Sequence, residues 1–163
     1  VLRRHGAVPL GRGPGRAWAK GRFHAPYLRD DLLARGVLVE TLETATTWAN
    51  LAHLYARVGA ALRAHAPFVA CHVSHVYRSG ASLYFTFLAR QEAEDPIGQW
   101  RRLKEDACTA IVAAGGTITH HHAVGRDHAP FLAAEATPLG LDALRAVKDR
   151  LDPAGIMNPG KLL

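Results

Sequence analysis

Phe68-Val69-Ala70-Cys71-His72-Val73-Ser74-His75-Val76-Tyr77 and Ala81-Ser82-Leu83-Tyr84-Phe85-Thr86-Phe87-Leu88-Ala89, joined around Ser79-Gly80, decide the fold. Both runs are rich in β-branched and aromatic residues, and successive side chains of a strand point to opposite faces. In the first run Val69, Cys71 and Val73 alternate with Ala70, His72 and Ser74. In the second, Leu83, Phe85 and Phe87 share one face, while Tyr84, Thr86 and Leu88 share the other. A connection this short joins antiparallel neighbours, because parallel strands need a crossover of a dozen or more residues. Tyr84 therefore lies across the sheet from the phenylalanine pair.

Working outward, Val37-Leu38-Val39-Glu40-Thr41-Leu42 reads as a further strand. Thr46 or Thr47 is placed to cap a helix running to about His65, with Trp48, Leu51, Leu54, Tyr55, Val58 and Leu62 at helical spacing and Pro67 closing it. A second long helix is expected from Pro96 to Ala113, with Trp100, Leu103, Ala107, Ile111 and Val112 facing the core. Gly115-Gly116 stops it, and Thr117-Ile118-Thr119 is expected as a short strand. Upstream, Gly11-Arg12-Gly13-Pro14-Gly15 reads as a connector from a short strand to a helix, and Pro26 to Leu33 as a short helix ended by Gly36. A last helix runs from Leu141 to Leu151 and stops at Asp152-Pro153, with an extended tail from Ala154 to Pro159. Strands so short and hairpin-linked do not build a doubly wound parallel sheet. The expectation is an α+β fold, an antiparallel sheet covered on one face by helices.

The chain has 163 residues, enough for one modest domain. No apolar stretch approaches the ~18–20 residues of a membrane span, and Val1-Leu2-Arg3-Arg4-His5 does not open a signal peptide. Cys71 and Cys108 fit neither a disulfide framework nor a zinc spacing, so both are expected as reduced thiols in a cytoplasmic protein. The net charge of +6 raises nucleic acid as a partner. Basic residues, however, run along the whole chain with acids beside them, as in Arg101-Arg102-Leu103-Lys104-Glu105-Asp106, and no nucleic-acid motif accompanies them. The glycines near Gly13 lack the following Gly-Lys-Ser/Thr of a phosphate loop.

His120-His121-His122 is the densest concentration of chemistry. Histidine exchanges protons near neutral pH, and the end of a strand is a common position for functional groups. On an extended segment His120 and His122 project to one face and His121 to the other. With His128 nearby a metal site is the competing reading. It is set aside because no His-Glu-x-x-His or comparable ligand spacing is present, so no metal is expected.

Thr119-His120-His121-His122-Ala123-Val124-Gly125 resembles the His-His-His-Gly-Val-Gly motif of alkyldihydroxyacetonephosphate synthases, which are flavoproteins of the vanillyl-alcohol-oxidase type. Ser79-Gly80-Ala81-Ser82-Leu83-Tyr84-Phe85 resembles the family's Gly-Ala-x-x-Tyr-Phe strand. Tyr27-Leu28-Arg29-Asp30 is similar to Tyr-Ile-Arg-Asp, and Leu42-Glu43-Thr44 to Phe-Glu-Thr. The end, Leu151-Asp152-Pro153-Ala154-Gly155-Ile156-Met157-Asn158-Pro159-Gly160-Lys161, resembles the closing signature of FAD-linked oxidases in general.

The resemblance implies that residues 1–163 are a C-terminal cap over the flavin ring, with 152–163 as its tail, while an N-terminal FAD-binding domain is absent from this chain. With Val rather than Met first, the chain reads as a fragment, inactive in isolation. Carried over, Tyr84, His121 and His122 are catalytic, Arg29 faces a substrate phosphate, and His120 and Asn158 lie toward the cofactor, FAD. The implied reaction exchanges the acyl chain of acyl-dihydroxyacetone phosphate for a fatty alcohol. Peripheral membrane contact and a homodimer are further expectations. The alternatives are a FAD-dependent dehydrogenase of 2-hydroxy acids, or a non-catalytic binding module derived from the cap. Ala123 departs from the family's glycine, and a positive φ there would strain it.

Overall fold

The computed structural model describes residues 2–163, which divide into two compact units, one ending at Arg35 and one from Gly36 to Leu163. The first unit is helical. A 3₁₀ turn, Leu2–His5, stands where a short strand was expected, and α1 (Gly13–Gly21) absorbs the second half of the glycine-rich connector. Pro14 fits the first turn of α1 because its missing N–H costs nothing there. α2 (Ala25–Ala34) follows. The Arg22 guanidinium lies 4.6 Å from the Trp18 ring and 5.1 Å from the Phe23 ring, a cation–π arrangement. None of the described side chains of this unit is fully buried.

Charge follows the same division. Of the 20 Lys and Arg, eight precede Gly36, against two of the 14 Asp and Glu. The whole excess of +6 thus belongs to the first unit. The even spread suggested by the sequence holds only for the second, where basic and acidic residues balance.

The second unit is built on three antiparallel strands, β1 (Val37–Thr47), β2 (Phe68–Val76) and β3 (Gly80–Arg90), in the order β1-β3-β2. Two helices cover one face: α3 (Leu51–Arg63) and α4 (Pro96–Ala113). Leu38 and Leu42 of β1 and Leu83, Phe85 and Phe87 of β3 meet Leu54, Val58 and Leu62 of α3 and Leu103, Ala107 and Ile111 of α4 in one buried cluster. The α+β expectation holds, and α4 has the expected bounds. Its first turn is capped by Asp95, whose carboxylate accepts from the Gly98 N–H at 2.9 Å.

β1 runs five residues beyond Leu42, because its pairing with β3 continues to Thr47 opposite Gly80. A Cβ on Gly80 would collide with the Thr46 carbonyl, so the backbones approach there as only glycine permits. Thr46 and Thr47 are consequently strand residues rather than helix caps. Asn50 precedes α3 instead, its side chain donating to Ala114 O at 2.7 Å and Thr46 Oγ1 at 3.1 Å. Trp48 falls outside the helix, half-exposed, with its indole N–H donating to Tyr77 O at 3.1 Å.

Residues 117–119 do not form the expected strand. They run beside β1 with two backbone bonds to it, Thr117 N to Ala45 O at 3.0 Å and His120 N to Glu43 O at 3.1 Å. α5 (Leu132–Leu151) starts earlier than expected and breaks at Thr137 (φ 63°), before Pro138. Its Glu135 reaches back to accept from Thr117 Oγ1 at 2.6 Å and Ile118 N at 2.8 Å. The tail is bent rather than extended: Asp152 accepts from the Ile156 and Met157 N–H groups and from Lys148 Nζ.

Candidate active site

Alternation along β1 and β3 puts Glu43 directly opposite Tyr84, on the sheet face turned away from the phenylalanine core. His75 reaches that face through a β-bulge. The register of β2 slips between Val73 and Val76, so one extra residue re-aims what simple alternation would send to the core side. In the bulge the His75 N–H donates to the Ser82 hydroxyl oxygen at 2.9 Å rather than to the ladder.

The histidines arrive through a tight turn. The His122 N–H donates to His120 O at 2.8 Å, with His121 between them at φ 44°. This corrects the expectation that His121 points away from its neighbours. The alternation rule holds for extended backbone, and this backbone is folded on itself. All three rings approach one carboxylate.

That carboxylate is Glu43, with a side chain only 1% exposed. Ser82 Oγ donates to its Oε1 at 2.7 Å, and His75 Nδ1 lies 3.2 Å from the same oxygen. His121 Nε2 is 2.9 Å and His122 Nε2 3.2 Å from Oε2. His120 Nδ1 is 3.3 Å from Oε1, at an angle that makes no hydrogen bond, while its Nε2 meets the Tyr77 hydroxyl at 3.2 Å. Burial pushes the Glu43 carboxyl upward, but the Ser82 hydroxyl and the His75 and His121 imidazoles together outweigh it and hold it down, from 4.5 to about 2. Glu43 entered the sequence reading only as part of a motif. Nothing in its local pattern marks it, because its partners come from three other places in the chain.

Tyr84 is half-buried between two imidazoles, both edge-on. The His122 ring centroid is 5.8 Å away and that of His72 6.2 Å. The structure therefore gathers four of the six sequence-predicted residues, Tyr84, His120, His121 and His122, around a fifth group that was not predicted. Arg29 is an exposed residue of α2 in the first unit. Asn158 is exposed in the tail with φ 48°. Glu43, His75, His120 and His121 also place one donor atom each within 4.8 Å of one another, close enough for a small cation to reach all four. A separate groove of about 480 Å³, lined by Trp100, Lys104, Arg126 and Phe131 among others, contains none of these histidines. Both cysteines are free, their thiols pushed up to about 11 by burial.

Ala123, which follows the histidines, has φ 68°, the left-handed region that favours glycine. Ala123→Gly is expected to raise stability by about 0.5–1 kcal/mol, read as a shift in the urea midpoint. An unchanged or lower midpoint would mean that the alanine is not strained.

The match to known proteins agrees with this architecture. The family model for the C-terminal domain of FAD linked oxidases matches residues 12–162, and the chain belongs to that family. It is 33% identical to alkyldihydroxyacetonephosphate synthase of Dictyostelium discoideum and 34% identical to that of Trypanosoma brucei brucei, each over the whole chain. It spans 28% of the length of each of these relatives. A solved structure of alkyldihydroxyacetonephosphate synthase superposes with a TM-score of 0.63 at 28% identity, covering 90% of this chain and 24% of that one. The glycolate oxidase subunit GlcD of Bacillus subtilis is 45% identical over 51 residues, 31% of this chain.

Proposed function

We propose that this chain is the substrate-side portion of an alkyldihydroxyacetonephosphate synthase-type enzyme, replacing the acyl chain of acyl-dihydroxyacetone phosphate with a fatty alcohol. The observation that carries the reading is the juxtaposition of Tyr84 with His122 over a buried carboxylate. A phenol and an imidazole are both donor and acceptor, so the pair can move a proton at one substrate atom. Matches along the whole chain favour the synthase over the 2-hydroxy-acid dehydrogenase, whose relative GlcD matches only a third of it.

FAD is the cofactor of the family, and the donor set on the open sheet face fits its ring. Tyr84, His121 and His122 offer polar edges there, while the contacts of the two histidines with Glu43 hold them from behind. When bound, the flavin supplies an electrophilic ring. His121 or His122 takes the proton from the carbon next to the substrate carbonyl, and Tyr84 passes a proton on the substrate. Arg29 suits the phosphate as a permanently charged, planar donor. Asn158 is assigned to the cofactor side. His120, with Nε2 on Tyr77 and Nδ1 facing Glu43, is better suited to anchoring the turn than to touching the cofactor.

The test uses the complete protein that carries this chain. Its visible spectrum should report bound flavin, and it should turn over acyl-dihydroxyacetone phosphate with a fatty alcohol rather than a panel of 2-hydroxy acids. Tyr84→Phe is expected to lower kcat by about 10²–10⁴-fold with the flavin spectrum intact. Wild-type activity in that variant would overturn the assignment of Tyr84, and oxidation of a 2-hydroxy acid instead would overturn the substrate.

A further inference from the structure

A buried carboxylate ordinarily has Arg or Lys beside it. Every ion-pair partner of Glu43 among the described residues is an imidazole instead: His75 from β2 and His120, His121 and His122 from the turn. Ser82 completes the set from β3. The Ser82 hydroxyl has already spent its proton on Oε1, and it accepts the His75 N–H. One carboxylate therefore sets the hydrogen-bonding roles of Ser82, His75 and His121.

We propose that Glu43 is a positioning residue that fixes the tautomer of His121, holding a proton on Nε2 and leaving Nδ1 as the bare nitrogen that accepts the substrate's proton. An ionised carboxylate can only accept hydrogen bonds, so the imidazole nitrogen 2.9 Å from Oε2 must carry hydrogen. A neutral imidazole has one N–H, which leaves the lone pair on Nδ1. The His121 side chain is 54% exposed, so that nitrogen belongs to an accessible ring. The low position of the Glu43 carboxyl, about 2, keeps it an acceptor throughout the neutral range. The same logic puts hydrogen on His75 Nδ1, 3.2 Å from Oε1.

The proposal rests on His121 acting as a proton carrier, and it adds which nitrogen acts and what sets it. In the step, a substrate C–H bond breaks, the proton moves to Nδ1 and the electron pair stays on the substrate. The resulting imidazolium faces the Glu43 carboxylate, which balances its charge without taking the proton. Loss of this constraint lets the ring populate the other tautomer, with hydrogen on the nitrogen meant to be the base.

The experiment labels the histidines of the complete, flavin-loaded protein with ¹⁵N and identifies the His121 signals by their loss in His121→Gln. Two-bond ¹H–¹⁵N correlations are expected to show the Nε2–H form in the wild type and a mixture or the Nδ1–H form in Glu43→Gln. That variant should lose on the order of 10³-fold in kcat with little change in KM, and Glu43→Asp should recover part of it. An Nδ1–H tautomer in the wild type would overturn the proposal without any variant needing to fold. Unchanged tautomer and activity in Glu43→Gln would overturn it too. So would one equivalent of a divalent ion in the purified wild type that is lost from Glu43→Gln, since Glu43 would then be a ligand. The tautomer does not depend on which substrate is turned over, so a failure of the synthase assay and a failure of this proposal are read separately.

Discussion

Phe85→Ala is expected to lower the stability of the protein by about 3–5 kcal/mol, the range for emptying a phenylalanine site in a packed core. Phe85 is 0% exposed. It sits on the central strand, between Leu42 of β1 and Cys71 of β2, and its ring stacks on Tyr55 of α3 with centroids 6.1 Å apart. A side chain at an edge can be replaced by its neighbours shifting inward, but strands on both sides hold this one in register. Denaturant unfolding of wild type and variant measures the effect. A loss below about 1 kcal/mol would mean that the sheet and its helices do not close on this ring as described.

A second large effect is expected in acid. The Glu43 carboxyl is depressed in the folded protein, from 4.5 to about 2, by Ser82, His75 and His121 against the opposing effect of burial. A depressed carboxyl gives stability that is fully present above its unfolded value and is lost as pH falls through the folded one. The contribution, about 3 kcal/mol at 1.36 kcal/mol per pH unit, should therefore fade between pH 4.5 and about 2. Because the side chain is 1% exposed, solvent screens it little. Unfolding free energies of wild type and Glu43→Gln, measured across that window, should converge as pH falls. A gap that stays constant would show that the Glu43 charge does not carry the difference.

Much of the fold was legible because its signals are local. The hairpin could be read from alternation in Leu83, Phe85 and Phe87, and α4 from its helical spacing between Pro96 and the glycine pair. The errors lie where tertiary contact overrides local preference. Thr46 and Thr47 look like helix caps, yet pairing with β3 extends the strand through them. Thr117-Ile118-Thr119 has strand composition, but Glu135 occupies its outer side and only isolated bonds tie it to β1. The last helix is expected only from Leu141, whereas the chain is already helical from Leu132, turns at Thr137 and continues helical beyond it.

The candidate site was legible in type rather than in design. Tyr84 and the histidines stand out by composition and by resemblance. Glu43 does not, because a carboxylate in a strand is unremarked until partners 32, 39 and 78 residues away in sequence close over it. His75 was hidden for a different reason. Its place on the active face depends on a bulge of one residue in β2, and alternation alone assigns it to the core.

The way the histidine turn is fastened bears on how such a site moves. Its backbone is bonded to β1, the segment leading into it is held by Glu135 through Thr117 and Ile118, and its rings converge on a carboxylate that belongs to β1 itself. Swinging the turn outward would strand a buried anion, so the turn and the strand travel as one body. The histidines are thus a fixed anvil rather than a lid. Any closure over the site falls to elements other than this turn.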